Sequence, residues 1–199
     1  MLLNKNISFV GNEFVRDYAA KITGSSLSKK YNLNQKTVST LLLELEEKKI
    51  VTNKMAGKNK EYSLLLENTE IVAHFLACIE HTRIIELYKE KPFLKEICTK
   101  ILPFCDGIVV LFGSYAKNRE KEESDIDIFV VGTVNLKEIK KIGEVYNKEI
   151  NVKLTSRSGF KKALQEKNYL FLEILRNHYI LQNGEEWIRV VMRNMYDKN

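Results

Sequence analysis

Two aspartates one residue apart, Asp125 and Asp127, interrupt a run that is otherwise isoleucine, phenylalanine and valine (DIDIFVV). Charged side chains rarely enter such a run without a partner. Side chains alternate along a strand, so both carboxylates project from one face while Ile126 and Ile128 enter a core on the other. Two carboxylates a few ångströms apart repel each other and both stay ionised only beside a cation. An all-oxygen donor set without thiolate or imidazole favours Mg2+ or Mn2+. Mg2+ usually bridges one or two carboxylates to the phosphates of a substrate.

Ser114, eleven positions before Asp125, supplies the other half of that arrangement. Gly113 ends the apolar stretch GIVVLFG and admits a close backbone approach. Tyr115 and Ala116 are predicted to open a short helix whose free N–H groups attract anions. The Ser114 hydroxyl adds a donor, and Lys117 and Arg119 lie within reach of a triphosphate. A Gly-Ser pair alone means little, and an Asp-x-Asp alone is common in turns. Their combination, each preceded by a strand, points to a nucleotide site.

The elements around this stretch read as a mixed α/β domain over residues 103–199. The chain alternates strand (GIVVLFG), loop, strand (DIDIFVVG), helix (NLKEIKKIGEVYNKE), strand (EINVKLTS), helices, a short strand (YILQ) and a last helix. Residues 69–102 read as connecting helices. One has apolar positions at Ile71, Phe75, Ile79, Ile84 and Ile85; the second runs over about Pro92–Leu102. His74 and His81 lie seven apart with no carboxylate or cysteine to complete a metal set, and read as structural or surface histidines.

Residues 1–68 form a third region. Apolar spacing is helical from about Phe9 to Ile22, and a short helix follows at Ser25–Tyr31 with Ser25 or Ser26 as its N-cap. A helix over Gln35–Lys48 puts Val38, Leu41, Leu42 and Leu45 on one face. The segments IVTNK and EYSLLL, joined by the glycine-containing MAGKNK, read as a hairpin.

Composition sets broad limits. The 199 residues are 44% hydrophobic and 29% charged with a net charge of +6, ordinary for a globular protein and only mildly favourable to anionic partners. Cys78, Cys98 and Cys105 form no CxxC pair and read as buried thiols of a reducing compartment. No signal peptide pattern opens the chain, and no apolar run approaches the roughly 20 residues of a membrane span. A cytoplasmic protein with no membrane partner is expected.

Two resemblances sharpen this reading. The segment SSLSKKYNLNQKTVSTLLLELEEKKIV with the following basic hairpin resembles a winged helix-turn-helix domain, over roughly residues 8–66. That resemblance makes Gln35–Leu45 the recognition helix, with Gln35, Lys36, Ser39 and Thr40 outward and Lys54, Lys58 and Lys60 on the wing to meet phosphates of duplex DNA. The alternative is a protein-docking wing with solvated lysines. The stretch GSYAKNREKEESDIDIFVV resembles the DNA polymerase β-like nucleotidyltransferase superfamily, especially its minimal members. It departs where the family often has Arg-Gly and this chain has Lys117-Asn118. The expected fold class is therefore α+β: an N-terminal winged helix-turn-helix domain, then a polymerase β-like nucleotidyltransferase domain with a mixed sheet and flanking helices.

The second resemblance implies transfer of a nucleoside monophosphate from an NTP to a hydroxyl, with Asp125 and Asp127 as ligands of catalytic Mg2+ or Mn2+. It also calls for a third carboxylate on the next strand. The matching position is Asn151, whose amide brings no negative charge and cannot act as a base. Glu149 lies two residues earlier, on the same face by the period of two, and substitutes with its longer side chain, pairs with Lys153 or faces water. Three readings remain: a metal-dependent nucleotidyltransferase with a DNA-binding winged helix, a toxin–antitoxin-type regulator whose transferase-like domain binds nucleotide or a protein partner, and an RNA-directed transferase.

Overall fold

A computed structural model describes residues 5–166 and 168–196. The chain divides into two compact units, one running to Thr82 and taking in the end of the chain from Met195, the other Arg83–Asn194.

The first unit contains α1 (Lys5–Arg16), β1 (Ile22–Thr23), α2 (Gly24–Tyr31), α3 (Gln35–Glu47), β2 (Val51–Ala56), β3 (Asn59–Leu64) and the larger part of α4 (Thr69–Glu90). Its first helix ends earlier than the apolar spacing to Ile22 suggests. Asp17 turns the chain: its carboxylate accepts from the Ala19 N–H at 3.0 Å and its carbonyl from Ala20 at 2.9 Å. Such a local side-chain bond competes with continued helix. Ile22 and Thr23 are thereby freed to pair with Tyr62 and Glu61, giving a three-stranded sheet in the order β1-β3-β2.

The cap of α2 also differs from expectation. Thr23, rather than Ser25 or Ser26, is the N-cap. Its hydroxyl accepts from the Ser26 N–H at 3.1 Å while Ser26 Oγ accepts from the Thr23 N–H at 3.1 Å. This reciprocal capping box satisfies two otherwise orphan donors. In α3, Val38, Leu41, Leu42 and Leu45 are buried, and Asn34 caps the helix start. The face of α4 is corrected: Val72, Ala73, Leu76, Ala77 and Ile79 are buried, whereas Ile71 is 45% exposed. Ile71 and Val72 offer neighbouring apolar stripes, and packing, not periodicity, selects between them. Cys78 is likewise exposed instead of buried, on the outer stripe that also carries His74 and His81.

The second unit holds α5 (Pro92–Ile101), β4 (Cys105–Phe112), α6 (Gly113–Ala116), β5 (Ile126–Val134), α7 (Leu136–Tyr146), β6 (Ile150–Thr155), α8 (Arg157–Gln165), α9 (Tyr169–Arg176), β7 (Tyr179–Gln182) and most of α10 (Gly184–Tyr196). The sheet order is β6-β5-β4-β7, with β5 and β6 parallel and β4 antiparallel to both neighbours β5 and β7. Both faces are covered, which explains why β4 and β5 are apolar almost throughout. Ile126, Ile128 and Val130 pack with Ile97, Ile101 and Ile139 on one side. On the other side Phe129 meets Phe160, Phe171 and Trp187, and Phe160 stacks on Trp187 at 5.0 Å between ring centroids. Truncating such a buried aromatic costs about 3–5 kcal/mol, so this cluster is a main anchor of the unit. Among the described residues no helix is long and apolar enough to cross a membrane.

Candidate active site

Register brings the chemistry together at one end of the second sheet. Phe112, the last residue of β4, lies opposite Asp127 of β5, and Asp127 is paired in turn with Asn151 of β6. Asp127 is two residues from Phe129 and so shares the face covered by α8–α10. Asp125 stands just before β5. Both carboxylates are half-buried. Asn151 Nδ2 donates to Asp125 Oδ2 at 3.2 Å, which fixes the orientation of that carboxylate.

Gly113 closes the site from the β4 side. Its φ is +73°, in the left-handed region. A Cβ there would lie 2.0 Å from Asp127 Oδ2 and 2.8 Å from Asp127 Cγ. Only glycine serves both the conformation and the approach. The next turn folds tightly: the Lys117 N–H donates to the Gly113 and Ser114 carbonyls at 3.2 and 3.1 Å, and the Arg119 N–H to the Ser114 carbonyl at 3.0 Å. Ser114 is half-buried, while the Arg119 side chain reaches solvent.

The loop that carries the chain on to Asp125 is held down along its length. Glu120 pairs with Lys91, and Lys148 donates to the Glu122 carbonyl. Ser124 Oγ accepts from the Lys121 N–H at 2.8 Å, and its own N–H returns to the Lys121 carbonyl at 3.0 Å. A charged loop that sequence alone would leave solvated is thus a clamp that delivers Asp125 to the site.

Electrostatics show what the pair lacks. Burial pushes the Asp127 carboxyl up from its usual range and the adjacent Asp125 pushes it further; Lys153 and Lys117 pull it down, and Glu173 adds to the rise. A raised carboxyl beside a second carboxylate is the state that a divalent cation relieves. Asp125 and Asp127 with substrate phosphates suit the coordination Mg2+ prefers, one or two carboxylates plus phosphate oxygens. Among the described residues no three of His, Cys, Asp and Glu cluster closely enough to hold a metal ion, so Glu149 does not join the aspartates. It precedes β6, is exposed, and lines a groove with Lys140, Gly143, Asn147 and Ile150 beside α7.

Sequence alone does not assign two side chains to the site: Lys153, expected there only as a partner of Glu149, and Glu173. Lys153 follows Asn151 by two in β6, and that period of two was the available signal. Glu173 on α9 forms an ion pair with Lys117. Nothing in the local sequence marks it, because the packing of α9 over Phe129 creates the proximity.

The first unit assembles a second surface. Gln35, Lys36, Ser39 and Thr40, all exposed on α3, line a groove of about 500 Å³ together with Lys58 and Lys60 of the wing. Lys54 is exposed on β2 opposite Glu61 and lies outside that groove.

Comparison with known proteins agrees with this geometry. A family model for the nucleotidyltransferase domain matches residues 90–182, and one for the penicillinase repressor matches residues 18–82. A protein of Methanocaldococcus jannaschii named "Putative protein adenylyltransferase" is 30% identical over 97 residues, which are 49% of this chain and 88% of that protein. The chain belongs to the nucleotidyltransferase domain family, and the region ahead of that domain is similar to the penicillinase repressor family. A crystal structure of a toxin–antitoxin with AMP-PNP is also similar, at 21% identity and a TM-score of 0.33, over 53% of this chain and 85% of that one.

Proposed function

We propose that the second unit is a divalent-metal-dependent transferase that moves a nucleoside monophosphate from an NTP to an acceptor hydroxyl. The observation that carries this reading is the Asp125–Asp127 pair set against the left-handed Gly113, which leads into Ser114 and Lys117. Asp125 and Asp127 would hold Mg2+ or Mn2+, which would supply charge neutralisation for the triphosphate and the departing pyrophosphate. Gly113 keeps side-chain atoms away from Asp127, so that carboxylate stays open to its ligand. Ser114 and Lys117 bind phosphate oxygens, with Arg119 reaching in from solvent. Asn151 holds Asp125 in place by its amide but cannot take the acceptor's proton. In the reaction the acceptor oxygen bonds to the α-phosphorus and the bond to the bridging oxygen breaks. Pyrophosphate leaves, and the hydroxyl proton passes to water.

The name of the archaeal relative supports an adenylyl group as cargo and a protein as acceptor. Incubation with each α-labelled NTP, Mg2+ and a cell lysate tests the reading. Label from ATP on a protein band supports it; no transfer from any NTP, with Mg2+ or Mn2+, removes it.

The first unit is proposed to bind duplex DNA through the α3–wing groove, with Gln35, Lys36, Ser39 and Thr40 facing base edges and Lys54, Lys58 and Lys60 facing phosphates. The repressor-family match supports this. A second reading of the whole chain, a DNA-bound regulator whose transferase-like unit binds nucleotide or a protein partner without efficient turnover, is favoured by one observation. Asn151 stands where a third carboxylate is expected, and a missing general base lowers rates by about 10²–10⁴-fold.

A further inference from the structure

The Lys117–Glu173 ion pair places an acidic side chain where the proposed reaction brings a polyanion. Lys117 closes the turn after Gly113–Ala116, and Glu173 comes from α9, 56 residues later. Both side chains are only about one-third exposed, at 29% and 30%. Glu173 is set there by its own helix: Phe171 packs against Phe129 at 5.1 Å between ring centroids and Ile174 is fully buried, so α9 is anchored on either side of the carboxylate. Lys117 closes the turn that begins at Gly113, and Gly113 lies against the Asp127 carboxylate, so the pair borders the carboxylates as well as the phosphate loop.

Resting on the transferase reading of the same site, we infer that Glu173 is the resident counter-ion of Lys117, which a triphosphate or pyrophosphate must displace in order to bind. A half-buried lysine beside a tight turn needs an anion, and Glu173 supplies it while the site holds no nucleotide. A triphosphate or pyrophosphate carries several negative charges and many acceptor oxygens against the single charge of a carboxylate, so it takes the ammonium when it arrives. Glu173 is then left with its negative charge near the polyanion. It is a positioning residue with two effects. It keeps Lys117 aimed at the phosphate loop before binding, and it lowers affinity for anything that carries phosphates. Lower affinity for the triphosphate is also lower affinity for the pyrophosphate product, which speeds release. Glu173 thus sets the balance between capture and discharge of phosphates without touching the reacting atoms.

The sign of a single substitution separates this role from a structural one. Loss of a merely structural ion pair weakens binding, whereas loss of a competitor tightens it. The experiment is calorimetric titration of the full chain at saturating Mg2+ with two probes, ATP and inorganic pyrophosphate. Wild type is compared with Glu173→Gln, Lys117→Met and the double variant, with circular dichroism to verify that each is folded. A partly exposed ion pair of this kind is worth about fivefold in an equilibrium constant. Glu173→Gln is expected to bind both probes about fivefold more tightly, and Lys117→Met more weakly. In the Lys117→Met background the Gln substitution should lose most of its tightening. Measurable binding to wild type, with folded Glu173→Gln equal or weaker for both probes, would overturn the counter-ion role and leave the transferase reading standing. Absence of binding to wild type and Glu173→Gln alike would remove the nucleotide site itself, and the inference with it.

Discussion

Gly113→Ala is the substitution whose effect the geometry specifies most closely. Two separate penalties apply. The residue would have to keep φ near +73°, and an L-residue in the left-handed region costs roughly 1–2 kcal/mol. Its Cβ would also meet Asp127 Oδ2 at 2.0 Å, Cγ at 2.8 Å and Cβ at 3.0 Å. Asp127 must then leave its rotamer, at about 0.5–1.5 kcal/mol. The expected loss of stability is about 1.5–3.5 kcal/mol from these two contributions. Urea unfolding followed by fluorescence reads it directly, because the chain has one tryptophan and Trp187 is buried in the second unit beside Phe160. In an Asp127→Ala background the two closest atoms are gone and only the approach at 3.0 Å remains. There Gly113→Ala should cost only the backbone share, about 1–2 kcal/mol. The single variant should also lose Mg2+–NTP binding, since the displaced carboxylate no longer faces its ligand. A change in stability below about 0.5 kcal/mol, with unaltered nucleotide affinity, would refute both the left-handed turn and its approach to Asp127.

Further outcomes follow from the same geometry. The raised Asp127 carboxyl means that the metal-free folded state holds that proton more tightly than the unfolded chain. Stability without metal should therefore rise as pH falls from neutrality through the raised pKa and level off below the ordinary aspartate range. Asp127→Asn should flatten that rise in pH-dependent melting. Asn151→Asp adds a carboxylate paired with Asp127; it should tighten Mn2+ binding measured by calorimetry and preserve or raise transfer, while Glu149→Gln should leave metal affinity unchanged. For the first unit, alanine at Lys54, Lys58 and Lys60 together should weaken duplex DNA binding in a gel-shift assay. The salt dependence of binding should also become shallower, by about 0.9 in log–log slope for each phosphate that is no longer neutralised.

Much of the fold was legible because periodicity and turn chemistry agreed. Val38, Leu41, Leu42 and Leu45 form the inward face of α3 as spaced, and the alternation around Asp125 and Asp127 places Ile126 and Ile128 in the core. Local competition hid other features. The Asp17 turn ends α1 early, and Thr23 takes the cap because Ser26 can answer it three residues on. Neighbouring apolar stripes on α4 differ only in what packs against them, so the choice of Val72 over Ile71 is a tertiary one. The same division holds at the site. Asp127 and Asn151 lie on neighbouring strands and Gly113, Ser114 and Asp125 just beyond strand ends, and the register carries all five to one end of the sheet. Glu173 arrives from a helix packed over that sheet, and the tethering of the charged loop by Lys91 and Lys148 depends on partners about 25–30 residues distant.

If Asp125 and Asp127 support nucleotidyl transfer, ATP labelled separately at the α- and γ-phosphorus will distinguish that chemistry from phosphoryl transfer and from simple binding. With Mg2+ or Mn2+ and a lysate as acceptor pool, α-label should become covalently attached to an acceptor while γ-label appears only in pyrophosphate. Chelation of the metal, Asp125→Ala or Asp127→Ala should abolish both signals in folded protein. Attachment of γ-label would contradict the assigned chemistry. Undetectable release of pyrophosphate by wild type and Asn151→Asp alike, despite measurable Mg2+–ATP binding, would contradict turnover and leave a nucleotide-sensing regulator.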